Sequence, residues 1–306
     1  MKIHINRKPV SGPWGGGNKT VQCLVENLSD MGHSIVFDLN HPDIDTVFCF
    51  DPRPNSSGIW YQTFLDYKSR VNPKLKIIQR VGDVGTHGKP ELTSLVKSSV
   101  EYSDYIIFPS IWAKNYIEYS GNNFSVIRNR PLNKFHKYKR KYKKLSKKIK
   151  IVTHHWSTNS KKGFDIYKLL NNNLKEHGIE SEFTYIGRYP KSLESSDIKL
   201  VDPKDSDFLS KELPNHDIYF TASLEEAGAN HVLEGIASGL PVVFHNGGGS
   251  IVEYCEGYGK GFSSTGDLHY SFQEVIKNFK RYKENCMAYN CTIEDTVSEY
   301  ASIICQ

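Results

Sequence analysis

The stretch from residue 223 to residue 243, SLEEAGANHVLEGIASGLPVV, contains two carboxylates eight positions apart, a helix-like segment, a glycine turn and an apolar run. The runs DIYFTAS (217–223) and LPVVFHN (240–246) flank the helix-like segment and are rich in β-branched and aromatic residues, which favour strands. A strand, a helix and a second strand in such short succession predict one unit of a parallel α/β sheet.

The same alternation runs through the chain and predicts two Rossmann-like domains. Residues 2–6 and residues 150–154 are each a β-rich run that leads into a polar or glycine-rich loop and then an amphipathic helix. Further runs of strand length lie at 33–39, 46–50, 75–81, 104–110, 124–129, 182–187 and 197–201. We expect an α/β protein whose two parallel sheets face a cleft, with ligands outside the carboxyl ends of the strands.

The composition excludes several classes of protein. The 306 residues suffice for two domains at roughly 100–200 residues each. No run of about 18 apolar residues is present to span a bilayer, and the first residues lack the apolar core of a signal peptide. The six cysteines are scattered without metal-binding spacing, which is typical of free thiols in a reducing compartment. We therefore expect a globular cytoplasmic protein.

The net charge of +5 comes from one segment of the chain. Residues 134–150, KFHKYKRKYKKLSKKIK, contain ten Lys or Arg and no Asp or Glu, so 5 minus 10 leaves the rest of the chain at −5. Two interpretations stay open for this segment. It is either a solvated linker between the domains or a peripheral contact with an anionic membrane, and nucleic acid is not an expected partner.

The helix within 223–243 offers groups that suit a nucleotide. Asn230 is a good N-cap, so the helix is predicted to begin near it, with Glu226 in the preceding loop and Glu234 on the second turn. The backbone amides of Ala229, Asn230 and His231 would then point from the helix N-terminus toward an anion such as a diphosphate. A carboxylate one turn further on can accept two hydrogen bonds from a ribose diol.

These motifs together resemble glycosyltransferase family 4, the retaining enzymes of the two-domain GT-B fold. Residues 217–253 resemble the E-x7-E region of that family, and GGGSIVE at 247–253 resembles its Gly-Gly segment. Gly15–Gly17 followed by GHSIV at 32–36 resembles the N-terminal glycine loop and second strand, and KKG at 161–163 resembles the Lys-Gly element. The resemblance spans both domains with its motifs in order.

The resemblance implies a role for each matching residue. Glu226 would contact hydroxyls of the donor sugar and Glu234 the ribose, while Lys162 would neutralise the diphosphate leaving group. Gly16 and Gly17 would line the diphosphate from the other domain. The family needs no metal and no cofactor, because the nucleotide sugar is the substrate and protein groups stabilise the charge that develops on the leaving group.

One position departs from the family pattern. The Arg that usually precedes the Lys-Gly element by five residues is Ser157 here, which removes a bidentate phosphate donor. Arg188, in the loop after the next strand, is the candidate substitute, although a lone Arg at a strand end is otherwise a surface residue. His154 and His155 directly precede the loop that contains Ser157, at the end of the strand. They are either groups that line the cleft or structural residues.

Candidates for the acceptor side lie in the N-terminal domain. Asp83 and His87, within the glycine-rich loop RVGDVGTHG, could position or deprotonate an acceptor hydroxyl, or Asp83 could simply cap the turn. Arg53 could bind an anionic group on the acceptor. The D-x-D sequence at 43–45 is rejected as a metal motif, because it precedes a strand instead of following one.

Two other functions explain part of the sequence. The loop GPWGGGNKT at 12–20 resembles a phosphate loop or a dinucleotide fingerprint without matching either, and with Asp38 it would suit an NAD-dependent oxidoreductase. That hypothesis leaves 223–253 unexplained. The loss of Arg at Ser157 would also fit a catalytically silent module that binds nucleotide sugars or glycans.

We therefore expect a metal-independent retaining glycosyltransferase that moves a sugar from a nucleotide-diphosphate donor to a glycan, lipid-linked or other hydroxyl acceptor. The expected N-terminal acceptor domain is 1–133 plus a returning helix in 287–306. A basic linker at 134–149 would lead into the nucleotide-sugar domain at 150–286. The nucleoside base, UDP or GDP, is left open.

Overall fold

A computed structural model describes residues 1–10, 16–140 and 145–306, and the described chain divides into two compact units. The N-terminal unit contains Met1–Asn129 and Ile293–Gln306, and the C-terminal unit contains Arg130–Thr292. Each unit has one six-stranded sheet in which neighbouring strands are parallel. The α/β class and the parallel sheets predicted from the sequence are confirmed.

The N-terminal unit has the strands β1 Lys2–Ile5, β2 Ser34–Val36, β3 Thr46–Cys49, β4 Lys76–Arg80, β5 Tyr105–Phe108 and β6 Phe124–Val126. Their order in the sheet is β2-β1-β3-β4-β5-β6. Its helices are α1 Gly16–Asp30, α2 Tyr61–Arg70, α3 Pro90–Glu101, α4 Ile111–Ile117 and the last helix of the chain, Ile293–Ile304.

The C-terminal unit has the strands β7 Ile149–His155, β8 Ser181–Gly187, β9 Lys199–Val201, β10 Ile218–Thr221, β11 Val242–His245 and β12 Gly259–Phe262. Their order is β12-β11-β10-β7-β8-β9. Its helices are α5 Lys134–Lys137, α6 Phe164–Glu176, α7 Ser206–Glu212, α8 Asn230–Ala237, α9 Ser250–Tyr254, α10 Leu268–Lys277 and α11 Phe279–Ala288. The last helix of the chain, Ile293–Ile304 of the N-terminal unit, is α12. Three 3₁₀ turns lie at Ser160–Lys162, Lys191–Leu193 and Leu213–Asn215.

The C-terminal sheet has a hydrophobic core on each face, because successive residues of a strand point to opposite sides. Ile151 of β7 and Phe220 of β10 belong to the core that includes α6 and α10. Their neighbours Val152 and Tyr219 belong to the core that includes α8. Strands buried on both faces explain why they read in the sequence as continuous apolar runs.

The basic segment predicted as a linker is largely part of the C-terminal unit. Phe135 is fully buried, and Lys134 Nζ lies 2.6 Å from a carboxylate oxygen of Asp207. Lys139 Nζ donates to the carbonyl oxygens of Cys286 and Met287 at 3.2 and 3.3 Å, and burial lowers the pKa of Lys139. The solvated linker, one of the two interpretations left open, therefore does not describe Lys134 and Lys139, whose ammonium groups meet a carboxylate and helix carbonyls. Residues 141–144 lie outside the described residues.

The returning C-terminal segment joins the N-terminal unit at Ile293, six residues later than the predicted boundary of 287. The residues just before it stay with the C-terminal unit, since His136 Nε2 lies 3.0 Å from the carbonyl oxygen of Cys291. Helix α12 packs on α1, and Tyr300 accepts a hydrogen bond from Arg80 Nε at 3.2 Å. Ile304 lies fully buried in the same core as Ile3.

None of the helices in the described ranges combines the length and apolar character that a bilayer-spanning helix requires.

Replacing Ile304 with alanine should destabilise the N-terminal unit selectively. The change removes buried methyl groups and leaves a cavity, which costs about 2–4 kcal/mol of the free energy of unfolding. Ser302→Ala, on the exposed side of α12, is the matched control and should change it by less than about 0.5 kcal/mol. Hydrogen exchange should show faster exchange at β1 and no change at β7. Equal loss at both strands would contradict the division into units.

Candidate functional site

The carboxyl ends of β7 and β10 lie side by side. Backbone hydrogen bonds join the loop after β10 to the loops after β7 and β11. Leu224 N donates to the Lys161 carbonyl oxygen at 2.8 Å, and Ser250 N donates to the Glu226 carbonyl oxygen at 2.8 Å. Glu226 also forms an isolated parallel bridge with Gly249. The Lys-Gly element, the E-x7-E loop and the Gly-Gly segment therefore meet at one edge of the sheet.

Helix α8 begins at Asn230, but its N-cap is Ala229 and not Asn230 as predicted. The Ala229 amide donates to Ser250 Oγ at 3.0 Å, so a hydroxyl of the neighbouring α9 fixes the N-cap residue of the helix. The apolar residues of α8 are buried, while Asn230, His231 and Glu234 are half-buried. This distribution leaves the polar face of the helix at the end of β7.

Glu234 is held by a histidine that the sequence left between two roles. His154 Nε2 lies 2.7 Å from Glu234 Oε2, and the two side chains are 10% and 17% exposed. His154 Nδ1 lies 3.0 Å from the hydroxyl of Tyr219. Gly235 permits this arrangement, because a Cβ there would lie 2.7 Å from the Tyr219 ring.

The two ring nitrogens of His154 have different partners. Burial raises the pKa of Tyr219 well above its usual value, so its hydroxyl keeps its proton at neutral pH. His154 contacts this hydroxyl through Nδ1 and the Glu234 carboxylate through Nε2. The histidine thus orients Glu234 and leaves its other oxygen for a ligand.

Lys162 and Glu226 form an ion pair whose side chains are only 11% and 14% exposed. Lys162 ends the 3₁₀ turn Ser160–Lys162, and Gly163 follows with a left-handed φ of +83°. A Cβ on Gly163 would lie 2.4 Å from the Cβ of Ala222, so only glycine lets this turn approach the end of β10. The predicted pair of functional residues is therefore brought into direct contact.

The other histidines of this edge have protein partners. His155 Nε2 lies 2.6 Å from the hydroxyl of Tyr167. Burial is the main cause that raises the pKa of Tyr167 to about 12. His231 Nε2 lies 3.2 Å from Thr221 Oγ1, with its ring 4.7 Å from that of His155. His155 is buried, which fits the structural role that the sequence left open for it.

Arg188 is exposed and stacks on an aromatic ring. Its guanidinium carbon lies 4.7 Å from the centre of the Trp156 ring, which is 48% exposed. Tyr185 donates its hydroxyl proton to the Arg188 carbonyl oxygen at 2.7 Å, which fixes the backbone of this loop. Arg188 and exposed Ser157 follow the neighbouring strands β8 and β7, so the role of Arg188 as a substitute phosphate donor stays a prediction.

In the N-terminal unit, Gly16 and Gly17 open α1, and Gly12–Gly15 of the predicted loop lie outside the described residues. Asn18 fixes this helix start through two hydrogen bonds with the backbone of Val10, at 2.9 and 2.7 Å. A Cβ on Gly17 would meet Phe50 at 3.6 Å, an ordinary contact. Among the described residues, the packing does not by itself require glycine at 17.

Asp83 and His87 lie in the loop between β4 and α3. Asp83 accepts hydrogen bonds from Gly85 N at 2.9 Å and from Lys89 Nζ at 2.8 Å. Burial acts to raise the pKa of Asp83, but these bonds and the charge of Lys89 outweigh it, so the pKa lies below its usual value. A carboxylate held in this way is a weak base, and His87 lies half-buried in the following turn.

Arg53 follows β3 and forms a bidentate pair with Asp51, at 2.9 and 2.6 Å. Arg7, which the sequence analysis missed, lies beside it after β1. The described residues contain no group of three or more His, Cys, Asp or Glu side chains that could hold a metal ion.

No model of a known protein family matches the chain, and no curated protein matches it in sequence. Solved structures do match it. HepE of Anabaena, solved with UDP and glucose, superposes with a TM-score of 0.71 at 14% identity, over 100% of this chain and 99% of that one. Sucrose-phosphate synthase of Thermosynechococcus elongatus gives 0.69 at 14% identity, over 99% and 98%.

A third match is WaaG, a glycosyltransferase of lipopolysaccharide biosynthesis, with a TM-score of 0.64 at 13% identity over 99% of both chains. At these identities the likeness shows the fold. The two parallel α/β units have the GT-B fold, as the sequence predicted.

Replacing Gly163 with alanine should both destabilise the C-terminal unit and displace Lys162. A left-handed alanine costs about 1–2 kcal/mol, and the clash with Ala222 adds about 1–3 kcal/mol. Gly178→Ala is the matched control, because Gly178 has a φ of +73° with no atom near its Cβ position, and only the backbone cost of about 1 kcal/mol applies. Urea unfolding compares the two. Equal losses would show that the contact with Ala222 is not restrictive.

Proposed function

We propose that the protein is a retaining glycosyltransferase of the family 4 type, which transfers a sugar from a nucleotide-diphosphate donor to a hydroxyl acceptor without a metal ion. The observation that supports this most is the pairing of both motif carboxylates, Glu234 with His154 and Glu226 with Lys162, at the carboxyl ends of β7 and β10. The fold shared with solved glycosyltransferases supports the same class of activity.

The nucleotide would bind along α8. Glu234, oriented by His154, offers an oxygen to a ribose diol, and such charge-assisted hydrogen bonds contribute about 1.5–3 kcal/mol each. The start of α8 favours an anion, because the positive end of the helix dipole lies there. UDP sugars are the first donors to test, since UDP is bound in the HepE structure.

Lys162 would stabilise the leaving diphosphate. Its ammonium group is held in a largely buried position by Glu226, where charge interactions are stronger than in water. As the bond between the sugar C1 and the phosphate oxygen breaks, negative charge grows on the diphosphate, and a fixed cation lowers that barrier. We propose that the acceptor oxygen bonds to C1 on the same face and gives its proton to the departing phosphate oxygen.

Glu234→Ala should raise the Kd for a UDP sugar roughly a hundredfold, because two hydrogen bonds worth about 3 kcal/mol together are lost. Glu226→Ala should lower kcat by a similar factor with a smaller effect on Kd. Calorimetry and a transfer assay measure the two quantities, and exposed Glu256→Ala is the control. Full activity of both site variants would refute the site. Donor binding without hydrolysis or transfer to any acceptor would instead identify a silent binding module.

The first product anomer should keep the configuration of the donor sugar. Proton NMR of the early hydrolysis or transfer product reads the configuration directly, and mass spectrometry of the enzyme during turnover should find no sugar on a carboxylate. An inverted product would overturn retention. A stable adduct on Glu226 would overturn same-face attack while leaving retention intact.

The acceptor side of the proposal assigns Asp83 and His87 to the acceptor hydroxyl and Arg53 to an anionic group on the acceptor. For a lipid-linked acceptor, the proposal includes a peripheral contact of the basic segment 134–150 with an anionic membrane. Lys147 and Lys148 of this segment are exposed. Liposome binding that falls with salt would support that contact.

A further inference from the structure

A pocket of about 350 Å³ lies in the N-terminal unit at the carboxyl ends of β1 and β3. Its wall is made by residues that directly follow these two neighbouring strands, and they are Asn6, Arg7, Asp51, Arg53, Pro54 and Asn55. The carboxyl edge of a parallel sheet is where such folds bind their ligands. The pocket therefore has the position of a binding site in its own unit.

The pocket wall is fixed by hydrogen bonds before any ligand binds. Buried Asn6 donates to the Asp51 carbonyl oxygen at 2.5 Å and accepts from Phe50 N at 2.8 Å. Asn55 donates to the Asn6 carbonyl oxygen at 3.0 Å and accepts from Ile59 N at 3.0 Å. A ligand would therefore meet a site that needs little further ordering, which favours binding.

The positive charges around the pocket are unevenly paired. Arg7, Arg53 and the buried Arg80 bring three guanidinium groups to this region. The carboxylates of Asp51, Asp83 and Glu91 all act on Arg53, and of these three Asp51 is the one that also acts on Arg7. Both Arg7 and Arg80 lie near the ring of Phe50, at 5.7 and 4.5 Å from its centre. Cations placed this close repel each other unless an anion lies between them.

Arg7 is the uncompensated member of the group. Arg53 is paired with Asp51 and Arg80 donates to Tyr300, whereas half-buried Arg7 has no hydrogen bond or ion pair within residues 1–10, 16–140 and 145–306. Burial lowers the pKa of Arg7, and the charges of Arg80 and Arg53 act in the same direction against the opposing effect of Asp51. A half-buried guanidinium without a partner is costly, and a phosphate oxygen pair would satisfy it.

We propose that this pocket binds the phosphoryl group of the acceptor, with Arg7 as the main donor and the unused N–H groups of Arg53 beside it. The identification of the ligand as an acceptor rests on the proposed function, whereas the phosphate site itself does not depend on it. A phosphate monoester carries negative charge that a guanidinium attracts, and the planar guanidinium fork suits its oxygens. The acceptor would be a phosphorylated sugar or a lipid with a phosphate headgroup, which share this chemistry.

The test is calorimetric titration of the whole protein with inorganic phosphate while saturating UDP occupies the donor site. Wild-type protein should bind phosphate, and Arg7→Gln should raise the Kd at least tenfold. Lys8→Gln is the matched control, because it removes the same charge one residue away from the pocket wall, and it should change the Kd less than twofold. Arg7→Lys keeps the charge without the fork and should lie between the two.

Several results would overturn the proposal. They are an absence of phosphate binding by the wild-type protein at millimolar concentration, equal effects of Arg7→Gln and Lys8→Gln, and a loss of UDP affinity in Arg7→Gln as large as the loss of phosphate affinity. The last result would assign Arg7 to the donor diphosphate. If Arg7→Gln does not fold, the wild-type titration and Arg7→Lys still decide.

Separate measurements identify the source of the phosphoryl group and test the proposed function. Glucose 6-phosphate against glucose tests a soluble acceptor, and phosphatidylcholine vesicles with and without phosphatidic acid test a lipid headgroup. Phosphate binding that depends on Arg7, together with no binding of any nucleotide sugar, would keep this site and reject the glycosyltransferase. Nucleotide-sugar turnover without phosphate binding would do the reverse.

Discussion

The hydrogen bond between His154 and Glu234 is the contact on which the C-terminal site depends. A largely buried carboxylate needs a partner, and the partner here sits at the end of β7 while the carboxylate sits on α8. Tyr219 from β10 holds the other side of the imidazole ring. One short chain of side chains therefore ties two strands and a helix, and the absence of a Cβ at Gly235 lets the helix come close enough.

In the second pair, the carboxylate of Glu226 offsets the charge of Lys162. An unpaired buried lysine would cost several kcal/mol, so the glutamate stabilises the cation in its largely buried position. An anionic ligand can then use the cation and the start of α8 together.

The sequence predicted the parallel sheets well because strands that are buried on both faces are continuous apolar runs. It missed β12, since GKGF has two glycines and a lysine and its strand character comes from pairing with β11. It also assigned the N-cap to Asn230, because propensity cannot reveal that Ser250, 21 residues after Ala229, accepts a hydrogen bond from the Ala229 amide. The role of His154 was left open for the same reason, since its partners come from β10 and α8.

The charged residues show most clearly that contacts between distant parts of the chain cannot be predicted from the sequence alone. The ten cations of residues 134–150 dominate the net charge, yet Lys134 and Lys139 are engaged by a carboxylate and by helix carbonyls. Arg7 is a single cation that no count would single out, and it is the one held near two other guanidinium groups without a partner of its own within the described ranges. What a charge can bind depends on the local balance of partners and burial, so the informative cation is the one that the fold leaves uncompensated.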